Sequence, residues 1–376
     1  MPMSGHNASW PLVLAVMALS IMAASPLRAQ DAKPFDHRGL AQRALERHIV
    51  PGYDRLATAA TEFSDAANAV CDRRTATERR RVDKAFGDLV MAWGRIEHIR
   101  FGPITESRRL ERILYWPDRR GLGLRQVERA LQTHDPSVLD SLQLAGKSVA
   151  LQGLTAAEQI LFGNGKEALL SRSPEVEFRC SYLRAVAANL ARIASEVVAA
   201  WREADGYRQI WLSPGEGNPA FLKPSETTLA LAKAFGEGLE RVRDERIAAP
   251  LGLGKQRTRL PAVFAKSGRT IALIAANVAG TQELFNEGGL GDAILATSLS
   301  QPALDISASV DLIRRELATA RQQVSSVSND KAFPSESFAS PLIATGFPLK
   351  NARAQADELL SLTAGLTLGF NASDGD

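Results

Sequence analysis

From residue 37 onward, apolar residues recur every three or four positions through most of the chain. That spacing lines one face of an α-helix, and no segment shows the alternation with hairpin turns that marks strands. From Arg38 to Cys71 the stripe runs through Leu40, Ala44, Ile49, Leu56, Ala60, Phe63 and Ala67, and Pro51-Gly52 is expected to kink it. Thr77 is the expected N-cap of a second helix, whose stripe of Val82, Phe86, Leu89, Val90, Trp93 and Ile96 stops near Phe101-Gly102-Pro103. A short helix follows from Leu124 to Leu131. Asp135-Pro136-Ser137 then opens a helix expected to run through Val149 into the stretch from Lys147 to Gly163. Beyond it the pattern predicts helices over Val176 to Trp201, Leu229 to Ile247, Val263 to Leu284, Leu304 to Val327 and Ala352 to Leu368. The fold class is therefore all-α, with antiparallel bundles as the natural packing.

Periodicity lapses between Asn164 and Pro174, where glycine, serine and proline gather. This loop divides the chain into an N-terminal helical bundle at 30–172 and a C-terminal one at 173–376. Each half is a run of about four helices, which suggests an internal duplication. Two domains also suit a length beyond what one hydrophobic core usually serves.

Residues 1–29 read as a signal peptide rather than as part of the fold. Trp10 to Ala24 is an uncharged apolar run, too short to span a bilayer comfortably, and Leu27 and Ala29 stand where a signal peptidase reads. The segment before the run lacks Lys and Arg, unlike most signals. No cysteine precedes Cys71, so no lipid anchor is expected at the cleavage site. The chain is thus expected in the periplasm or cell envelope, with no transmembrane segment after cleavage.

The full chain carries 45 basic and 42 acidic residues, too even a balance for a nucleic-acid surface. Arg79-Arg80-Arg81 and Arg108-Arg109 read as solvated helix surface. In an oxidising compartment Cys71 and Cys180 are candidates for one disulfide, and the lack of a C-x-x-C pair speaks against structural zinc.

Candidate chemistry centres on Glu158. Leu151, Leu154, Leu161 and Phe162 form an apolar stripe, and Glu158 falls inside it, with Thr155 one turn before and Gly153 leaving room for close approach. A buried carboxylate must be answered. The candidates are an arginine from a neighbouring helix, in a purely structural pair, a protonation shift, or a metal ion at a site between helices. The aromatic, charged loop around Tyr115, Trp116, Asp118 and Arg119 is a second candidate, because loops on rigid scaffolds often carry binding. Its alternative is a helix stop in which Trp116 packs on a core edge. No H-E-x-x-H, G-x-S-x-G, P-loop or dinucleotide motif is present, and His37, His48, His98 and His134 form no local zinc pattern. His98 reads as a packed or surface residue. Asp374-Gly375-Asp376 is either a solvated tail or an anionic cluster folded back on the bundle.

Several segments together resemble the imelysin family of bacterial envelope proteins: AWGRIEHIRFGP (Ala92 to Pro103), YWPDRRG (Tyr115 to Gly121), KSVALQGLTAAEQILFG (Lys147 to Gly163), VRDERIAAPLG (Val242 to Gly252) and LGFNASDGD (Leu368 to Asp376). The resemblance implies two duplicated helical bundles with a site between them, a link to iron acquisition, and a name as a metallopeptidase. The family motif G-x-H-x-x-E falls on Gly153, Thr155 and Glu158, so threonine stands where the histidine belongs. Threonine is a poor transition-metal ligand, which weakens a peptidase reading.

What survives is a carboxylate pocket built on Glu158, with Glu97, Asp118, Asp374 and Asp376 as further oxygen ligands, Trp93, Phe101 and Trp116 as walls, and Arg119 as a competing ion-pair partner. Such a pocket suits iron or another divalent or trivalent cation. The leading expectation is a periplasmic binding protein for a metal ion or small ligand. The alternatives are a metallopeptidase recruiting a ligand such as His98, and a metal-free module that binds an envelope protein.

Overall fold

A computed structural model describes residues 33–253, 259–297, 305–327 and 336–367, together with residues 1, 2 and 5. In chain order the helices are α1 (His37–Ala44), α2 (Val50–Arg73), α3 (Ala76–Ile96), α4 (Arg109–Ile113), α5 (Leu122–Thr133), α6 (Ser141–Ala145), α7 (Gly153–Phe162) and α8 (Pro174–Arg202). They continue with α9 (Tyr207–Leu212), α10 (Pro224–Glu240), α11 (Ala249–Leu251), α12 (Thr270–Asn286), α13 (Leu290–Leu295), α14 (Ile306–Ser325) and α15 (Glu336–Ala364). No described residue lies in a strand, and no described helix is long and apolar enough to cross a membrane. The expected signal peptide, apart from residues 1, 2 and 5, lies outside the described residues, as do Asp374 and Asp376.

The apolar stripes find each other across long sequence distances. Helix α2 packs between α3 and α8, α3 packs on α12, and α10, α14 and α15 close the far side. Tyr53 and Phe63 of α2, Phe86 and Trp93 of α3 and Trp201 of α8 are almost wholly enclosed. Each such side chain contributes on the order of 1.5–3 kcal/mol through removal from water. Helices from both sides of residue 172 enter the same cluster of buried apolar residues. Helices α2 and α8 run antiparallel: a disulfide joins Cys71 to Cys180 near one end, with Cα atoms 5.5 Å apart, and Arg202 donates to Asp54 at 2.7 Å near the other. Helices α3 and α12 run parallel, since Gly87 faces Arg269 and Gly94 faces Ala276. A Cβ at Gly94 would lie 2.8 Å from that of Ala276, so the glycine lets the two backbones close up.

The irregularity expected at Pro51-Gly52 takes the form of a π turn over Leu45–Ile49, after which the chain enters α2 with Pro51 in its first turn. Three other local expectations change. Thr75, not Thr77, caps α3, accepting from the N–H of Glu78 at 3.2 Å. The stretch from Lys147 is not continuous helix, because Gly153 takes φ +84° and α7 starts there. Helix α12 begins at Thr270 rather than Val263, since residues 263–268 turn back over α7.

Candidate functional site

Helix α7 is short and is clamped at both ends. At its start, the buried Gln152 side chain accepts from Arg112 Nε at 3.0 Å and from Asn189 Nδ2 at 2.9 Å, and donates to the Leu144 carbonyl at 3.0 Å. Tyr182 of α8 donates to the Leu151 carbonyl at 2.6 Å. Gly153 follows with a positive φ, and a Cβ there would sit 2.6 Å from the Ile113 carbonyl oxygen, so only glycine lets α4 and α7 meet. At the other end, Arg179 donates to the Ile160 carbonyl at 2.8 Å and Arg79 to the Leu161 carbonyl at 2.8 Å. Two guanidinium groups thus satisfy carbonyls where the helix dipole favours positive charge.

This framework fixes Glu158, which is 8% exposed. Among the described residues no arginine pairs with it. Its Oε1 accepts from the backbone N–H and from the hydroxyl of Ser267, both at 2.8 Å. Burial pushes its pKa above the ordinary carboxylate value, while the two Ser267 bonds and nearby Lys266 pull the other way without cancelling the effect. The segment supplying Ser267 is held firmly: Thr270 Oγ1 donates to the Val263 carbonyl at 2.6 Å, and Phe264 packs edge-on against Phe86 with ring centres 5.9 Å apart. Phe264 takes φ +60°, an uncommon conformation for a bulky residue and one that tends to occur near functional sites.

A cavity of about 160 Å³ opens over Glu158. Thr155, Glu158 and Gln159 line it from α7, Tyr115, Trp116 and Asp118 from the aromatic loop, and residues 261–266 from the segment before α12. Its lining is largely apolar, with Leu124, Val127, Val263 and Phe264 among the walls. Asp118 is already engaged: its two oxygens accept from the N–H groups of Leu122, Gly123 and Leu124 at 2.8–3.2 Å and so cap α5. Lys266 Nζ donates to Gln159 Oε1. The Trp116 indole N–H is buried with no protein partner among the described residues.

Thr155, Glu158, Trp116 and Asp118 therefore share one cavity, and Gly153 sets the helix that presents them. The other sequence candidates lie elsewhere. Glu97 pairs with Arg246 at 2.5 Å and accepts from Asn277 Nδ2 at 2.9 Å. Burial alone would raise its pKa, but Arg246, Arg241 and Asn277 bring it below the ordinary value. Glu97 lies ten residues beyond the α3 position that faces Arg269, roughly 15 Å along the helix, so it belongs to a different layer from Ser267. Trp93 is core, and Phe101 stacks on Trp211 with centres 5.0 Å apart. Arg119 is exposed and does not line the cavity. His98 faces His48, with Nε2 atoms 2.8 Å apart, and shares no partner with Glu158.

Among the described residues the donor set around Glu158 is sparse. Thr155 replaces the motif histidine, both Asp118 oxygens accept from backbone amides, and Glu158 accepts from Ser267 and from the backbone of Lys266. Among the described residues no group of three or more His, Cys, Asp or Glu is placed to hold a metal ion. A hard cation wants six or more oxygens, so the described residues do not by themselves fit a bare ion. Ser267, Lys266, Phe264 and Gln159 are site residues that the sequence pattern does not indicate. A loop that contributes a backbone N–H leaves no signature in side-chain periodicity.

No curated protein matches the chain. Among solved structures, an imelysin-like protein from Psychrobacter arcticum 273-4 superposes with a TM-score of 0.70 at 22% identity, covering 90% of this chain and 100% of the other. A protein described as an iron-regulated protein A precursor, from Parabacteroides distasonis ATCC 8503, superposes with a TM-score of 0.69 at 12% identity, covering 88% of this chain and 97% of the other. Both are likenesses of fold. The family model described as Imelysin matches residues 49–363, nearly all of the helical region, and the chain belongs to the imelysin family.

Proposed function

We propose that this chain is an exported binding protein of the cell envelope, built on two helical units, whose ligand site is the cavity over Glu158. The observation that carries this reading is the convergence of Thr155, Glu158, Trp116 and Asp118 on one partly apolar cavity, the usual make-up of a small-molecule site. Its ligand is a small molecule rather than a bare ion, because the donor set is too poor for direct ligation. Peptidase chemistry is disfavoured on the same ground: among the described residues nothing beside Glu158 completes a set of groups that would hold and activate a water. An iron-linked setting is supported by the name of the Parabacteroides relative and by the uncharged run at Trp10 to Ala24, which favours export.

The test is to titrate the purified mature chain with Fe³⁺, Zn²⁺ and Ca²⁺ beside Glu158→Gln and the cavity-filling variant Ala150→Trp, and to compare the three in restoring growth of a deletion strain under iron limitation. Weak, non-stoichiometric metal binding in all three, with growth restored only by the wild type, is the expected result. Stoichiometric metal that vanishes in Glu158→Gln would overturn the small-molecule reading in favour of a metal site.

A further inference from the structure

Glu158 is a buried carboxylate that, among the described residues, has hydrogen bonds and the nearby charge of Lys266 but no ion-pair partner in contact. Ser267 gives it two hydrogen bonds at Oε1, and among the described residues no ion pair reaches it. Lys266, the cation that also lines the cavity, gives a hydrogen bond to Gln159 instead. Asp118 adds a second carboxylate at the same wall, tied to the start of α5. Among the described lining residues, two carboxylates stand against one ammonium, an excess of negative charge. Removing a carboxylate from water costs several kcal/mol unless an opposite charge is supplied.

The remaining walls suit a particular kind of cation. Tyr115, Trp116 and Phe264 contribute rings, and Leu124, Val127 and Val263 contribute aliphatic surface. A hydrated metal ion gains little from such walls. An organic cation gains on both sides, because its alkyl part removes apolar surface from water while its charge is attracted to ring faces and to the carboxylate. The volume of about 160 Å³ limits the bound portion to a small head group.

We propose that the cavity over Glu158 recognises a small organic cation, an alkylammonium or alkylguanidinium group, with Glu158 as its counter-charge and Trp116 as an aromatic wall. The assignment rests on the reading of this cavity as the ligand site and specifies the ligand class for it. The bound cation supplies the contacting ion-pair partner that no described residue gives Glu158. Binding then strengthens as pH rises and Glu158 ionises, and the cation in turn favours the ionised carboxylate.

The experiment is a titration of the mature chain, followed by calorimetry and tryptophan fluorescence, with tetramethylammonium, propylammonium and propylguanidinium, against tert-butanol and propionate as neutral and anionic controls. Saturable binding of at least one cation is expected, at least tenfold tighter than tert-butanol and with no binding of propionate. Glu158→Gln should weaken cation binding at least tenfold, with an unchanged circular dichroism spectrum, and Trp116→Leu several-fold. Equal affinity for tert-butanol and the cations, or equal affinity in Glu158→Gln, would overturn the charge assignment while leaving the cavity as a binding site. Preference for propionate would make Lys266 the anchor and overturn the proposal. No binding of any probe to the wild type would remove both the cation assignment and the reading of the cavity as the ligand site.

Discussion

Glu158 and Ser267 stand 109 positions apart and meet through two 2.8 Å hydrogen bonds to one carboxylate oxygen. The contact ties the centre of α7 to the turn before α12, and it solvates a buried charge without neutralising it. From this follow a stability effect and its sign. Burial raises the folded pKa of Glu158 above its ordinary 4.5. Below that ordinary value both folded and unfolded chains hold the proton. As pH climbs past it the unfolded chain ionises first, so stability is lost until the folded group ionises too. Glu158→Gln keeps an oxygen for Ser267 and carries no charge. Its urea midpoint is expected to match the wild type near pH 4 and to exceed it at pH 7. A variant that weakens steadily with rising pH would show that the carboxylate is better stabilised than these contacts imply.

Gly153 fixes where α7 begins. An alanine there adopts a left-handed backbone and places its Cβ 2.6 Å from the Ile113 carbonyl. The expected loss in Gly153→Ala is roughly 2–5 kcal/mol, from about 1–2 for the backbone and 1–3 for the crowded contact. Gly215→Ala is the control, since nothing lies within 4 Å of its added methyl. Chemical denaturation should separate the two clearly; equal midpoints would mean that α4 yields to the methyl group.

Cys71 and Cys180 are joined across 109 residues, one near the end of α2 and the other in the first turns of α8. A loop of this size loses much unfolded-state entropy on closure, so Cys71→Ala/Cys180→Ala is expected to cost roughly 2–5 kcal/mol. Helix content should survive, because α2 and α8 also share packing and the Arg202–Asp54 pair. A midpoint unchanged by reduction would show that the link is dispensable.

The helices were readable because their signal is local. A stripe at three-to-four spacing predicts the second helix from Val82 to Ile96, and α3 lies there. Gly153 and Glu158 were readable for a similar reason, as one residue out of place in an apolar stripe and one glycine before it. Partnerships were not readable, since any amphipathic helix could pack on any other. Hence Glu97, plausible beside Glu158 in sequence, instead meets Arg246 and Asn277 in another layer. The segment 263–269 looked helical because Val263 and Phe264 are apolar, yet Phe264 packs against Phe86 with a positive φ and turns the chain. The capping of α5 by Asp118 was hidden for a different reason: its carboxylate serves backbone amides four to six residues ahead, which a search for charged partners does not find.

His48 and His98 give a pH dependence of opposite direction to that of Glu158. The rings are buried, with Nε2 atoms 2.8 Å apart, so one nitrogen donates and the other accepts, and a second proton cannot enter without repulsion. Burial and Arg241 hold His98 down at about 3, and burial, His98 and Arg55 hold His48 well below its ordinary value. The folded chain therefore keeps both rings neutral where the unfolded chain takes up protons. That contribution to stability is full above the ordinary histidine value of 6.5 and is lost as pH falls below it. Each ring adds a slope approaching about 1.4 kcal/mol per pH unit. His98→Gln preserves a hydrogen bond to His48 and removes one titrating group. Its stability between pH 6 and pH 4 is expected to fall less steeply than that of the wild type, by up to that slope. Denaturation curves at four or five pH values measure this directly, and parallel slopes would show that His98 accepts a proton in the folded chain.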